Sequence, residues 1–84
     1  MSEAKSLIED CRKSLENYRM YGDAVGEGLK QLDKLDELVS EGKMNEAYTM
    51  CVELSGTIAP YRPYIADVAD RLDAVKAKLE ELKN

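Results

Sequence analysis

The chain has 84 residues and a mass of 9.4 kDa, which allows one domain with a small core. Hydrophobic residues make up 44% and charged residues 35%, without Phe or Trp, a balance typical of a helical protein rather than a β-sandwich. The absence of His excludes His-based metal sites and His general bases. The net charge of −5 disfavours nucleic-acid binding, because no basic surplus exists to neutralise phosphates.

The N-terminal region has no apolar signal core, which predicts a cytoplasmic protein. The longest uncharged run, residues 54–61, is too short to span a membrane, so we expect no membrane partner. Cys11 and Cys51 form no metal-ligand motif, and we expect neither a metal nor a cofactor. Reduced, buried thiols are the favoured interpretation, and a disulfide stays open.

Apolar residues recur every three or four positions along both halves of the chain, and strand alternation fits nowhere. The pattern is continuous over residues 44–82, whereas Asp36 interrupts it within residues 4–39. Gly42, between the halves, can adopt the left-handed conformation that ends a helix. Residues 41–48 resemble the inter-helix turn of tetratricopeptide repeats and of microtubule-interacting-and-transport domains, but the 34-residue repeat pattern is absent.

These patterns predict an all-α fold in a single domain, residues 1–84. Its helical bundle is built from two antiparallel arms of about 40 residues, each ~60 Å long if fully helical. Each arm is kinked or broken near its middle, at Gly22–Gly28 and at Gly56–Pro63.

A second interpretation uses the same breaks as chain reversals, because Gly22 can end one helix and Pro60 can begin another. Four short helices, near residues 2–21, 24–41, 44–57 and 60–83, would then form a compact bundle. An internal match at an offset of 43 residues favours a two-part build. It aligns residues 18–21 (Tyr-Arg-Met-Tyr) with residues 61–64 (Tyr-Arg-Pro-Tyr), although a heptad pattern also produces such matches.

Four tyrosines and two arginines crowd the middle of the predicted arms and form the candidate ligand site. They are Tyr18, Arg19, Tyr21, Tyr61, Arg62 and Tyr64. As structural residues, they would fill space beside the glycines. As binding residues, they would suit a small anionic or planar ligand such as a nucleotide, because Arg stacks on aromatic rings and both types are frequent at binding hot spots.

Three leucines beside the main apolar stripe, Leu7, Leu35 and Leu38, are the candidate interface residues. In a long hairpin they would be exposed and would call for a second copy or another helical protein, whereas in a four-helix bundle they could be internal. We therefore expect a small acidic, non-enzymatic protein that acts through protein–protein contacts and self-associates into an oligomeric bundle. The alternative is a ligand- or nucleotide-sequestering protein that uses the tyrosines and arginines. No catalytic motif is present, which argues against an enzyme.

Overall fold

The computed structural model describes residues 3–83 and confirms the all-α class, since these residues form helices and turns without a strand. The four helices are α1 (Glu3–Glu16), α2 (Asp23–Ser40), α3 (Met44–Ile58) and α4 (Ala66–Leu82). Short 3-10 turns, Arg19–Tyr21 and Ala59–Tyr61, lie in the connections after α1 and α3. The start at residue 2 predicted for the first of four short helices lies outside the described residues.

The helices form an antiparallel four-helix bundle with extents of 35 × 19 × 18 Å. Helix α1 packs against α2 and α4, and α3 packs against the same two helices, so α1 and α3 lie on opposite corners. Two continuous arms of ~60 Å could not fit within 35 Å. Of the two interpretations that the sequence left open, the four helices fit the one in which the chain reverses at both predicted breaks.

Glycines define two of the reversals. Gly42, with φ +77°, ends α2 in a left-handed conformation. The Gly42 amide donates to the Val39 carbonyl (3.1 Å) and the Lys43 amide donates to the Leu38 carbonyl (2.9 Å), which is the pattern of a Schellman cap. Gly22, with φ +90°, precedes α2 and allows the chain to turn back after α1.

A single core runs along the bundle and contains two of the three predicted interface residues. Leu35 is fully buried, Leu38 is 7% exposed, and Leu7 packs against the core from its edge. These side chains are covered because the hairpin α1–α2 packs on the hairpin α3–α4. The apolar area that argued for a second copy is therefore already buried within one chain.

The two hairpins correspond to each other at the offset of 43 residues. Asp23 begins α2, and its counterpart Ala66 begins α4. The matched core positions are buried on both sides: Ala4 with Ala47, Ile8 with Cys51, Cys11 with Leu54, Leu15 with Ile58, Val25 with Val68, Leu29 with Leu72, and Leu32 with Val75. Helices α1 and α3 run in the same direction on opposite corners, so a half-turn about the bundle axis approximately relates the hairpins.

Candidate functional site

The structure brings the predicted tyrosines and arginines to one end of the bundle rather than to its middle. This follows from the two chain reversals, because the midpoint of each predicted arm becomes a connection between helices. We call this part of the molecule the tyrosine end and define it as residues 17–22 together with residues 59–65. Both connections lie here, and the α2–α3 turn at Gly42 lies at the opposite end.

Large apolar and aromatic side chains are exposed at the tyrosine end. Met20 is 80% exposed, Tyr64 69%, Tyr21 56% and Tyr61 41%. Neighbouring exposed side chains of this kind are typical of a surface that contacts other molecules. Met20 was not among the predicted site residues, although it adds apolar area outside the main stripe and lies in the repeated Tyr-Arg-Met-Tyr segment.

Tyr18 differs from the other three tyrosines because its hydroxyl is bound within the bundle. The hydroxyl donates a hydrogen bond to Asp67 Oδ1 at 2.7 Å, and the ring stacks on Tyr21 with 5.9 Å between centroids. The hydrogen bond to the carboxylate raises the pKa of Tyr18, because it stabilises the protonated hydroxyl. Tyr18 therefore joins α1 to the first turn of α4 and acts as a structural residue.

An apolar crevice opens between the start of α2 and the end of α3. Its volume is about 40 Å³. Tyr21, Tyr61 and Tyr64 form its rim, together with Ala24 and Thr57. The crevice floor consists of core side chains, which are Leu15, Val25, Ile58 and Ile65. The crevice has room for on the order of three water molecules, the size of one aliphatic side chain.

The two arginines do not join the tyrosines at the crevice. The Arg19 guanidinium lies 3.8 Å from Glu16 Oε2, and the Arg62 guanidinium donates to both carboxylate oxygens of Asp73 at 3.1 and 3.2 Å. Neither arginine lines the crevice. The tyrosines and arginines predicted as one ligand site are thus divided between an apolar crevice and separate ion pairs.

The two cysteines lie in the core, away from the tyrosine end. Each thiol lies near a carbonyl of α4, Cys11 Sγ at 3.9 Å from Val68 O and Cys51 Sγ at 4.0 Å from Leu72 O. Burial raises the pKa of Cys11 to about 12 and that of Cys51 to about 11. Both are free thiols and stay protonated near neutral pH, which makes them poor nucleophiles.

Comparison with known proteins finds no matching family model, no matching curated protein and no matching solved structure. Among residues 3–83, no helix combines the length and the apolar character needed to cross a membrane. The same residues contain no group of three or more potential metal ligands.

Proposed function

We propose that this chain is a small acidic, non-enzymatic protein that acts through protein–protein contacts made by its tyrosine end. The observation that carries the proposal is the exposure of Met20, Tyr21 and Tyr64 on the two connections, with Tyr21 and Tyr64 on the rim of one crevice. Tyrosine offers a large contact area, with a polar hydroxyl at its tip, and is frequent at the centre of protein interfaces. A location in the cytoplasm and the absence of nucleic-acid partners stay predictions from the sequence.

We propose another protein, rather than a second copy, as the partner, because Leu35 and Leu38 are already buried within one chain. The sequence-based expectation of self-association depended on three leucines, of which one chain buries Leu35 and Leu38 and partly buries Leu7. The end of the bundle measures about 19 × 18 Å, a few hundred Å². A stable interface of standard size buries about 800 Å² on each partner. An end-to-end dimer would therefore be weak, and we propose a small, reversible contact with a different protein.

The alternative, a nucleotide-sized anionic ligand, has less support from the geometry. Ligand pockets have volumes of about 300–1,000 Å³, whereas the crevice has about 40 Å³. The arginines are already paired with Glu16 and Asp73. A thermal-shift screen with nucleotides tests this alternative, because a ligand that binds the folded state raises the Tm. We expect no shift; a shift abolished by Arg19→Ala and Arg62→Ala would support the alternative.

Selection from a random displayed-peptide library tests the proposed function. We expect the immobilised protein to enrich peptides that, in a two-dimensional NMR titration, shift the backbone signals of residues 17–22 and 59–65. Tyr64→Ala should weaken their binding by at least about tenfold, since interface tyrosines are frequent hot spots. Val52→Ala is the matched control, because Val52 is also exposed but lies on the side of α3. No enrichment, or binding that maps to another surface, would overturn the proposal.

A further inference from the structure

The two hairpins differ at a pair of equivalent positions next to the tyrosine end, Ala24 and Asp67. In the first half, Tyr18 reaches across to α4 and binds Asp67. At the offset of 43 residues, Tyr61 matches Tyr18 and reaches toward α2, where Ala24 matches Asp67. The side chain of alanine has no hydrogen-bond acceptor, and within residues 3–83 the Tyr61 hydroxyl makes no hydrogen bond. Tyr61 is accordingly exposed, whereas Tyr18 is half-buried.

The crevice lies at this unmatched position. Ala24 and Tyr61 both line it, and in the other half the equivalent space is crossed by the hydrogen bond between Tyr18 and Asp67. One half of the tyrosine end is therefore closed by a tyrosine–carboxylate pair, and the other half is open to solvent with an apolar floor. Residue 24, which lines the opening, has a small side chain where its equivalent, Asp67, has a carboxylate.

The charges beside the crevice are acidic and unpaired. Asp23 is adjacent to Ala24, Glu27 follows Ala24 by one helical turn, and Glu53 precedes Thr57 by one turn on α3. All three are exposed and make no ion pair with another residue of the described range 3–83. Arg62, which follows Tyr61 in the chain, is held by Asp73. The unpaired charge around the opening is thus negative.

From these observations we infer that the crevice binds one aliphatic side chain of a basic segment in a partner protein. The apolar floor takes the side chain, the rings of Tyr21, Tyr61 and Tyr64 surround its stem, and the carboxylates attract Lys or Arg residues on either side of it. The volume suits Leu or Met and is too small for an indole ring. This inference rests on the proposed function and names the chemistry of the partner.

Three synthetic peptides test the inference: one Leu flanked by lysines, the same Leu flanked by glutamates, and the lysine peptide with Ala in place of Leu. We expect the first to shift the NMR signals of Ala24, Thr57 and Tyr61, and the other two to bind at least about tenfold more weakly. Raising the salt concentration should weaken binding of the first peptide, because the attraction between its lysines and the exposed carboxylates is electrostatic.

Two variants that add the same charge separate the contribution of the open crevice from that of the surrounding negative charge. Ala24→Asp places a carboxylate where α4 has Asp67, so it should bind the Tyr61 hydroxyl, close the crevice and abolish peptide binding. Gly26→Asp adds the same charge at a helical position with open space around it, so it should leave binding unchanged or strengthen it. Circular dichroism reports whether both variants fold.

The outcomes distinguish the inference from the proposed function. If peptides bind the tyrosine end equally well in wild type and in Ala24→Asp, or if glutamate flanks bind as well as lysine flanks, the inference is wrong and the proposed function stands. If no peptide, selected or synthetic, binds the tyrosine end, both fail. A protein that instead dimerises through this end, shown by its mass in solution, would replace the basic segment with a second copy and overturn the inference.

Discussion

Truncation of Leu35 to Ala tests whether the chain folds as the compact bundle or as a long hairpin. Leu35 has no exposed surface, and its side chain is among the largest that are fully buried. Leu35→Ala should therefore lower the free energy of unfolding by about 3 kcal/mol, the sum of lost burial and an unfilled cavity. The whole domain is expected to have a stability of about 4–13 kcal/mol. The Tm should fall by about 12–24 °C.

Urea denaturation followed by circular dichroism, at low and at high protein concentration, measures this change. Leu82→Ala is the matched control, because Leu82 is 41% exposed and its truncation should cost less than about 1 kcal/mol. In a single-chain bundle the midpoints do not depend on protein concentration. Equal losses for the two variants, or midpoints that rise with concentration, would refute the burial of Leu35 within one chain.

Three further predictions follow from the core and the turns. Folding raises the pKa values of Cys11 (about 12), Cys51 (about 11) and Tyr18, so the stability linked to these groups is complete below about pH 9 and is lost as the pH rises through the folded-state values. The urea midpoint should therefore fall steeply above about pH 9. A flat profile would contradict this prediction. A thiol reagent should label the two cysteines of the native protein no faster than the core opens, and rapid labelling near neutral pH would show that they are accessible. Gly42→Ala should lower the free energy of unfolding by about 1–2 kcal/mol, because φ is +77° at this residue. Gly26→Ala, in open space within α2, should instead raise the free energy of unfolding by about 0.5–1 kcal/mol. Similar effects from both substitutions would contradict the left-handed cap.

The helical class and the turn at Gly42 could be predicted from the sequence, because both depend on local features. Apolar spacing determines which face of a helix is buried, and a glycine followed by a new amphipathic segment marks a helix end. The choice between two long arms and four short helices could not be made in the same way. Gly22 and Pro60 are compatible with a kink and with a reversal, and the decision depends on how two hairpins pack together.

Asp36 illustrates the limit of a heptad frame for this chain. The frame gave Asp36 an inward position with its carboxylate reaching water near the arm end, and in the structure that carboxylate pairs with Lys5 at 3.5 Å near the surface. Leu35, the preceding residue, takes the buried position instead. In a four-helix bundle each helix packs against two neighbours, so its buried face is wider than one stripe and includes residues that a two-helix seam leaves outside.

The candidate site was partly predictable as well. The sequence indicated the tyrosines and arginines as a group, because they cluster at two matched points of the chain. It did not separate Tyr18 from Tyr61, since that difference depends on Asp67 in one hairpin and Ala24 in the other. The internal offset of 43 residues was the signal that could have revealed it, by comparing the residues that follow each tyrosine.

Small-angle X-ray scattering with simultaneous mass determination tests the central claim most directly, namely that one chain completes the bundle and leaves the tyrosine end for a partner. We predict a particle of 9.4 kDa whose radius of gyration exceeds the 11.7 Å of the Cα atoms only by the contribution of side chains and hydration. A rod with a maximum dimension near the ~60 Å of two extended arms, or a mass of two chains at low concentration, would contradict the account.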